Sequence, residues 1–160
     1  MNENKKIIIG ADHAGFSLKE FLKEKLTEKG YTVVDKGAHE YNEADDYPDF
    51  VVPTALGVLE DPENSMGIVI GGSGQGEAIV ANRFGEIRAV VFNGQYKPID
   101  GRDVPEEIKL SREHNDANVL SLGARFLSNE EALDAVLLWI ETPFSEDARH
   151  ARRIRKIDSI

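Results

Sequence analysis

The sequence predicts an α/β fold in which a five-stranded parallel sheet lies between two layers of helices. Three observations lead there. Short apolar runs that end at glycine alternate with stretches of helical spacing, and the alternation continues along the 160 residues. Consecutive strands of this kind need crossover connections, which helices supply. A hydrophobic content of 41% is enough for one ordinary core, so residues 1–160 are expected to form a single domain.

The first strand is Lys5-Lys6-Ile7-Ile8-Ile9-Gly10, too short and too apolar for a surface helix. Phe16 to Lys29 then sets Leu18, Phe21, Leu22 and Leu26 at helical spacing, with Gly30 at the stop position. Tyr31 to Asp35 is the second strand, and Tyr47 to Leu59 is a helix with Pro48 in its first turn and Pro53 set against its regularity. Met66 to Ile70 is a third strand and runs into Gly71-Gly72-Ser73-Gly74-Gln75-Gly76; helical patterning resumes from Glu77 to Phe84. Ile87 to Phe92 and Val119 to Leu122 complete the strands, with a helix over Glu106 to Glu113 between them. Two helices close the chain, one over Asn129 to Glu141 and one over 145–158 that Ser145 is placed to cap. The whole is a three-layer, Rossmann-like α/β/α sandwich, in which ligands bind beyond the carboxyl ends of the strands. The loops at Gly10–Gly15, Gly71–Gly76, after Phe92 and at Gly123–Arg125 are therefore the ones to inspect.

Charge narrows the function. A formal net charge of −10 opposes binding to nucleic-acid backbones. Arg149, Arg152, Arg153, Arg155 and Lys156 nevertheless stand close together near the end of the chain, which suits a small anion or, equally, a solvated basic helix. No stretch reads as a membrane span or a leader, so no membrane role and a cytoplasmic location are expected. With no cysteine, neither a thiolate metal site nor a thiol base is available. His39, Glu40, Glu43, Asp45, Asp46 and Asp49 lack a metal-ligand spacing and read as a solvated loop, so no metal and no other cofactor is expected.

The glycine loop between strand and helix offers exposed N–H groups to an anion or an oxyanion. It is not a P-loop, because Glu77 stands where lysine should meet the phosphates. Nor is it a dinucleotide fingerprint: Gly72, Gly74 and Gly76 give G-x-G-x-G, one residue short at the third glycine. Alone, Glu77 is also a favourable first-turn carboxylate. Next to Ser73 and the loop amides it is equally a base beside an oxyanion site, the pair that moving a proton between adjacent carbons requires.

Several separated motifs resemble one family. Gly10-Ala11-Asp12-His13-Ala14-Gly15-Phe16, Asp35-Lys36-Gly37, Asp46-Tyr47-Pro48-Asp49, Gly71 to Arg83, Gly85 to Ala89, Ser111 to Leu120 and Arg149-His150-Ala151-Arg152-Arg153 are similar, in that order, to ribose-5-phosphate isomerase B and its sugar-phosphate isomerase relatives. That family uses either a cysteine just before the glycine loop or a glutamate just after it as base. Here Gly71 holds the first position and Glu77 the second.

The resemblance implies an aldose–ketose isomerase interconverting ribose 5-phosphate and ribulose 5-phosphate through an enediolate, with Glu77 as base. It makes Ser73 and the amides of Gly72, Gly74 and Gly76 the oxyanion site, links Asp12 and His114 to the ring oxygen and ring opening, and sets Asn115 beside the reacting hydroxyls. The phosphate falls to His13, Arg125, Arg149 and Arg153; the last two, four apart, share a helix face. It also implies a homodimer or homotetramer whose sites lie between chains, the closing helix touching a partner. The galactose 6-phosphate relative divides its catalytic set between two different subunits, whereas here one sequence carries all of it.

The segment from Phe92 to Pro105 is longer than the family's usual connection, which leaves a six-carbon aldose phosphate open as substrate. A non-catalytic sugar-phosphate or nucleotide-binding module is the other alternative, and Glu77 weighs against it, since a binder gains nothing from a carboxylate facing an anion.

Overall fold

The computed structural model of the chain describes residues 5–96, 98–101 and 106–160. Lys97 and residues 102–105, part of the long connection after Phe92, lie outside them. The elements in order are β1 (Lys6–Ala11), α1 (Phe16–Glu28), β2 (Thr32–Asp35), α2 (Pro48–Leu59), β3 (Ser65–Gly71), α3 (Gln75–Ala81), β4 (Ala89–Phe92), α4 (Glu107–Glu113), β5 (Val119–Gly123), α5 (Asn129–Glu141) and α6 (Ala148–Ile157). The five strands form one sheet in the order β2-β1-β3-β5-β4, every pairing parallel.

Period-two alternation along β1 assigns the layers. Ile7, Ile9 and Ala11 join Leu18, Leu22 and Leu26 of α1, Ile108 of α4 and Val136, Trp139 and Ile140 of α5 in one core. Ile8, on the opposite face, joins Val51, Ala55 and Val58 of α2 and Ala81 of α3 in a second. The three-layer sandwich expected from the alternation is therefore present. β1 and β3 are neighbours with Ala11 level with Ile70, although β2 intervenes in sequence. The chain thus reverses its direction of growth between them, and such a switch point opens a crevice at the carboxyl ends of the two strands.

Element boundaries differ from expectation where a local feature decides them. α3 begins at Gln75 rather than Glu77, because Gly74 takes φ 74°, turns the chain and lets the helix start at once. Glu77 consequently lies within the first turn. α2 runs unbroken through Pro53; the bond lost there is to Asp49, an exposed first-turn residue whose carbonyl is close to water. α5 starts as its sequence suggests, with Ser128 and Glu131 forming a reciprocal capping box.

The closing helix starts later than expected, at Ala148, and its cap is Asp147, whose carboxylate accepts from the Arg149 N–H at 2.9 Å. Ser145 is not the cap: its hydroxyl lies 3.2 Å from Nδ1 of His150. Along α6 only His150 is buried. No helix among the described residues is long and apolar enough to cross a membrane.

Candidate active site

The glycine loop at the end of β3 is held by its carbonyls. Gly71 and Gly72 accept from the N–H groups of Ala124 (2.8 Å) and Arg125 (3.1 Å). Ser73 accepts from the Asn93 amide at 2.9 Å, and Gly74 from the buried Ser121 hydroxyl at 2.6 Å. With the oxygens engaged by β4 and β5 neighbours, the N–H groups of Gly72, Ser73 and Gly74 meet no acceptor among the described residues. Preorganised amides of this kind are what a developing oxyanion needs. Ser73 Oγ stays at the loop surface, 3.4 Å from the Gln75 N–H.

Glu77 reaches back under this loop. It is 4% exposed, and a β-carbon built on Gly71 would overlap its carboxylate. Burial pushes its carboxyl above the ordinary glutamate range; its own backbone N–H opposes the shift and the nearby Asp12 charge adds to it. Asp12, at the end of β1, is also buried, and its Oδ1 accepts from the N–H groups of Ala14 (3.0 Å) and Gly15 (3.2 Å). Asp12 therefore shapes the β1–α1 turn, and its charge is felt by Glu77 as well. Tyr47 packs over Gly76, where an added β-carbon would come within 2.7 Å of the phenol oxygen.

His13 stands beside them, and Asp45 holds it at two points, with the His13 N–H 3.0 Å and the ring Nδ1 2.7 Å from Oδ1. The bond to Asp45 raises the imidazole's pKa above the ordinary histidine value, against a smaller opposing effect of desolvation. Asp45 Oδ2 is buried without a partner among the described residues. The 39–46 loop is thus not wholly solvated as its composition suggests: most of it is exposed, but Asp45 turns inward because His13 offers it two donors. Asp12, His13 and Asp45 each offer a ligand atom within 4.8 Å of one another, although Nδ1 of His13 already faces Asp45. Arg125 lies alongside, its guanidinium against Gly72 and its charge felt by His13.

The remaining expected residues lie elsewhere. His114 caps the end of α4 and precedes the amino end of β5, while the glycine loop neighbours its carboxyl end. Val119 to Gly123 alone spans about 13 Å. α5 returns the chain to the same amino edge, where the Ser145 N–H donates to the Glu113 carbonyl at 3.2 Å and the His150 ring lies 4.1 Å from that of His114. Burial, reinforced by His114, lowers the pKa of His150 and favours its neutral form. Asn115 is beside Arg88 at this edge, and Arg149 and Arg153 project from α6 into solvent. Within one chain, then, Asp12, His13, Ser73, the loop glycines, Glu77 and Arg125 gather at the carboxyl edge, and His114, Asn115, Arg149 and Arg153 at the amino edge.

Comparison with known proteins decides the family. Residues 7–157 match the family model described as Ribose/Galactose Isomerase. The chain belongs to the ribose/galactose isomerase family. Among its members, ribose-5-phosphate isomerase B of Escherichia coli K12 is 40% identical over 156 residues, covering 98% of this chain and 96% of that one. The solved ribose-5-phosphate isomerase B of Clostridium thermocellum superposes with a TM-score of 0.84 at 42% identity, covering 96% and 95% of the two chains. That of Mycoplasma genitalium, solved with bound ribulose 5-phosphate, gives 0.85 at 33% identity over 96% and 94%.

The family motifs name residues of both edges but not the side chains that brace them. Asp45 reads only as one acid of a solvated loop, and the sequence assigns no role to Asn93, His150, Tyr47 or Arg88. Tyr47, Arg88 and His150 sit inside quoted motifs, so a signal for them existed. For Asp45 and Asn93, only the fold reveals that their partners, the His13 ring and the Ser73 carbonyl, lie 32 and 20 residues away.

Proposed function

We propose that this chain is an aldose–ketose isomerase that interconverts ribose 5-phosphate and ribulose 5-phosphate, with Glu77 as the base. The observation that carries this reading is the buried Glu77 carboxylate directly beneath the unpaired amides of Gly72, Ser73 and Gly74. On the ring-opened aldose, Glu77 takes the proton from C2, and the electron pair moves to the carbonyl as an enediolate. The negative charge forms at O1, where the loop amides and Ser73 receive it. Glu77 then returns the proton to C1, while the hydroxyl proton on O2 passes to O1, giving the ketose. Asp12 beside the ring oxygen, with His114, would serve ring opening, and Asn115 would hold the hydroxyls.

The phosphate would be bound by His13 and Arg125 at the carboxyl edge and by Arg149 and Arg153. Because the last two lie with His114 and Asn115 at the far edge of the sheet, the reading assigns each complete site to two copies of the chain, the carboxyl edge of one meeting the amino edge of the other. Two-fold symmetry then yields two equivalent sites per dimer, with a tetramer as a pair of dimers. The weak attachment of α6 to its own chain supports a partner contact there, and a cytoplasmic location fits a sugar-phosphate substrate. An isomerisation assay over pentose and hexose phosphates, with and without a chelator, tests the reading. Turnover of ribose 5-phosphate unaffected by the chelator is expected; preference for a hexose phosphate, or loss on chelation, would overturn the substrate or the metal-free chemistry.

A further inference from the structure

At the amino edge, Arg88 joins two segments that are far apart in sequence. Its Nε donates to the carbonyls of Asn115 and Asp116, both at 3.1 Å, and its Nη2 to the Asp116 carboxylate at 3.2 Å. Its Nη1 reaches both oxygens of Asp158, at 3.1 and 3.2 Å, and the Glu86 carbonyl at 3.4 Å. Asn115 and Asp116 form the turn directly after His114; Asp158 closes α6, the helix that carries Arg149 and Arg153. We propose that Arg88 is a positioning residue that fixes the spacing between the His114–Asn115 turn and the arginines of α6, and so between the sugar and phosphate grips of the isomerase site proposed above.

Three features support this. First, α6 is anchored at its start by buried His150, and beyond that point its one hydrogen-bonding partner in the rest of the described chain is Arg88, through Asp158. Without it, Arg153 would ride on a helix held at one end. Second, Asp158 is the C-cap of α6, where a negative charge opposes the helix dipole. Helix stability therefore does not account for an aspartate there, whereas pairing with Arg88 does. Third, Asp116 takes φ 45°, a left-handed conformation that aspartate tolerates better than most residues but that still gains from being held. Arg88 and the buried Arg112, whose Nη1 lies 2.7 Å from Asp116 Oδ1, grip its two carboxylate oxygens and keep the turn in that shape. A lysine, whose three N–H donors sit on one nitrogen, cannot span the separate acceptors that Nε, Nη1 and Nη2 reach.

Asp158→Ala cuts the link to α6 and leaves the hold of Arg88 on the turn. We expect KM for ribose 5-phosphate and the inhibition constant of inorganic phosphate to rise about tenfold, the scale of one charge-assisted contact, with kcat within about twofold. Deuterium exchange of the α6 amides should quicken. In an Arg149→Ala/Arg153→Ala background the same substitution should change neither constant further. Arg88→Lys should lower kcat as well, because the His114–Asn115 turn loosens; should it fail to fold, Asp158→Ala carries the test alone. Unchanged KM and exchange in Asp158→Ala, or an equal loss when the two arginines are already absent, would overturn the proposal. Failure of the isomerase reading is separate: wild type would then turn over no sugar phosphate, and α6 exchange would still report whether the clasp exists.

Discussion

The Glu77 carboxylate occupies the volume into which a side chain at Gly71 would project. The two positions that the resemblance offers for a base, one before the glycine loop and one after, would therefore converge on one point in space. Gly71→Ala should expel the carboxylate and lower kcat by about 10²-fold, the contribution of a general base. Because both changes remove the same group, Gly71→Ala/Glu77→Ala should be no slower than Glu77→Ala alone. Steady-state kinetics on the three variants check this; losses that multiply would show the two residues to act independently.

Glu77→Gln keeps the shape and removes the base, so kcat should fall by about 10²-fold or more while inorganic phosphate still binds. Near-wild-type turnover would end the proposed role.

The pH dependence of Glu77 follows from its burial, which raises its pKa in the folded chain. The base works only when ionised, so the acid limb of kcat/KM should lie above the ordinary glutamate value of about 4.3. A raised folded pKa favours the protonated form, so wild type loses stability as pH rises through that value. Glu77→Gln should therefore have the higher Tm at pH 7 and lose that advantage below about pH 4.3. Thermal melts at both pH values measure it; a variant less stable at pH 7 would contradict the cost of burying this charge.

Asp45 raises the pKa of His13 through their hydrogen bond. The imidazolium, and with it affinity for a phosphate dianion, persists below the ordinary histidine value and is lost as pH rises through the raised one. In Asp45→Asn that loss should begin at lower pH, near the ordinary value of about 6.5. Phosphate inhibition constants measured from pH 6 to 9 decide it, and an alkaline limb that does not move would detach Asp45 from the site.

Arg153→Ala should reduce kcat/KM for the phosphorylated sugar by roughly 10- to 150-fold, from the loss of about 1.5–3 kcal/mol of charge-assisted binding, and leave the unphosphorylated sugar nearly unchanged. Mixed with Glu77→Gln chains, this variant should regain activity, up to about a quarter of wild type if subunits reassort at random and one site in each hybrid dimer is whole. An active monomer in light scattering would rule out the two-chain site.

Much of this was legible in the sequence because it is local. The apolar runs of β1 and β3, the capping box before α5 and the glycine loop each declare themselves within a few residues. What was not legible depends on long-range pairing. Asp45 reads as one acid among several until the fold brings His13 to it, and Ser145 reads as a cap until His150 claims its hydroxyl. Nor does a motif reveal which edge of the sheet its residue occupies. His114 and Glu77 look like parts of one constellation in the sequence and are separated by the length of β5 in the fold.

That separation has a consequence for dosage. No side-chain movement within one chain can bring His114 to Glu77, so under the two-chain reading a lone copy holds only two unfinished halves. Turnover per chain would then depend on how often copies meet, and at dilutions where they part it would fall with concentration. Flux through the reaction would drop by more than half when the amount of chain is halved, which makes abundance itself a control on the rate.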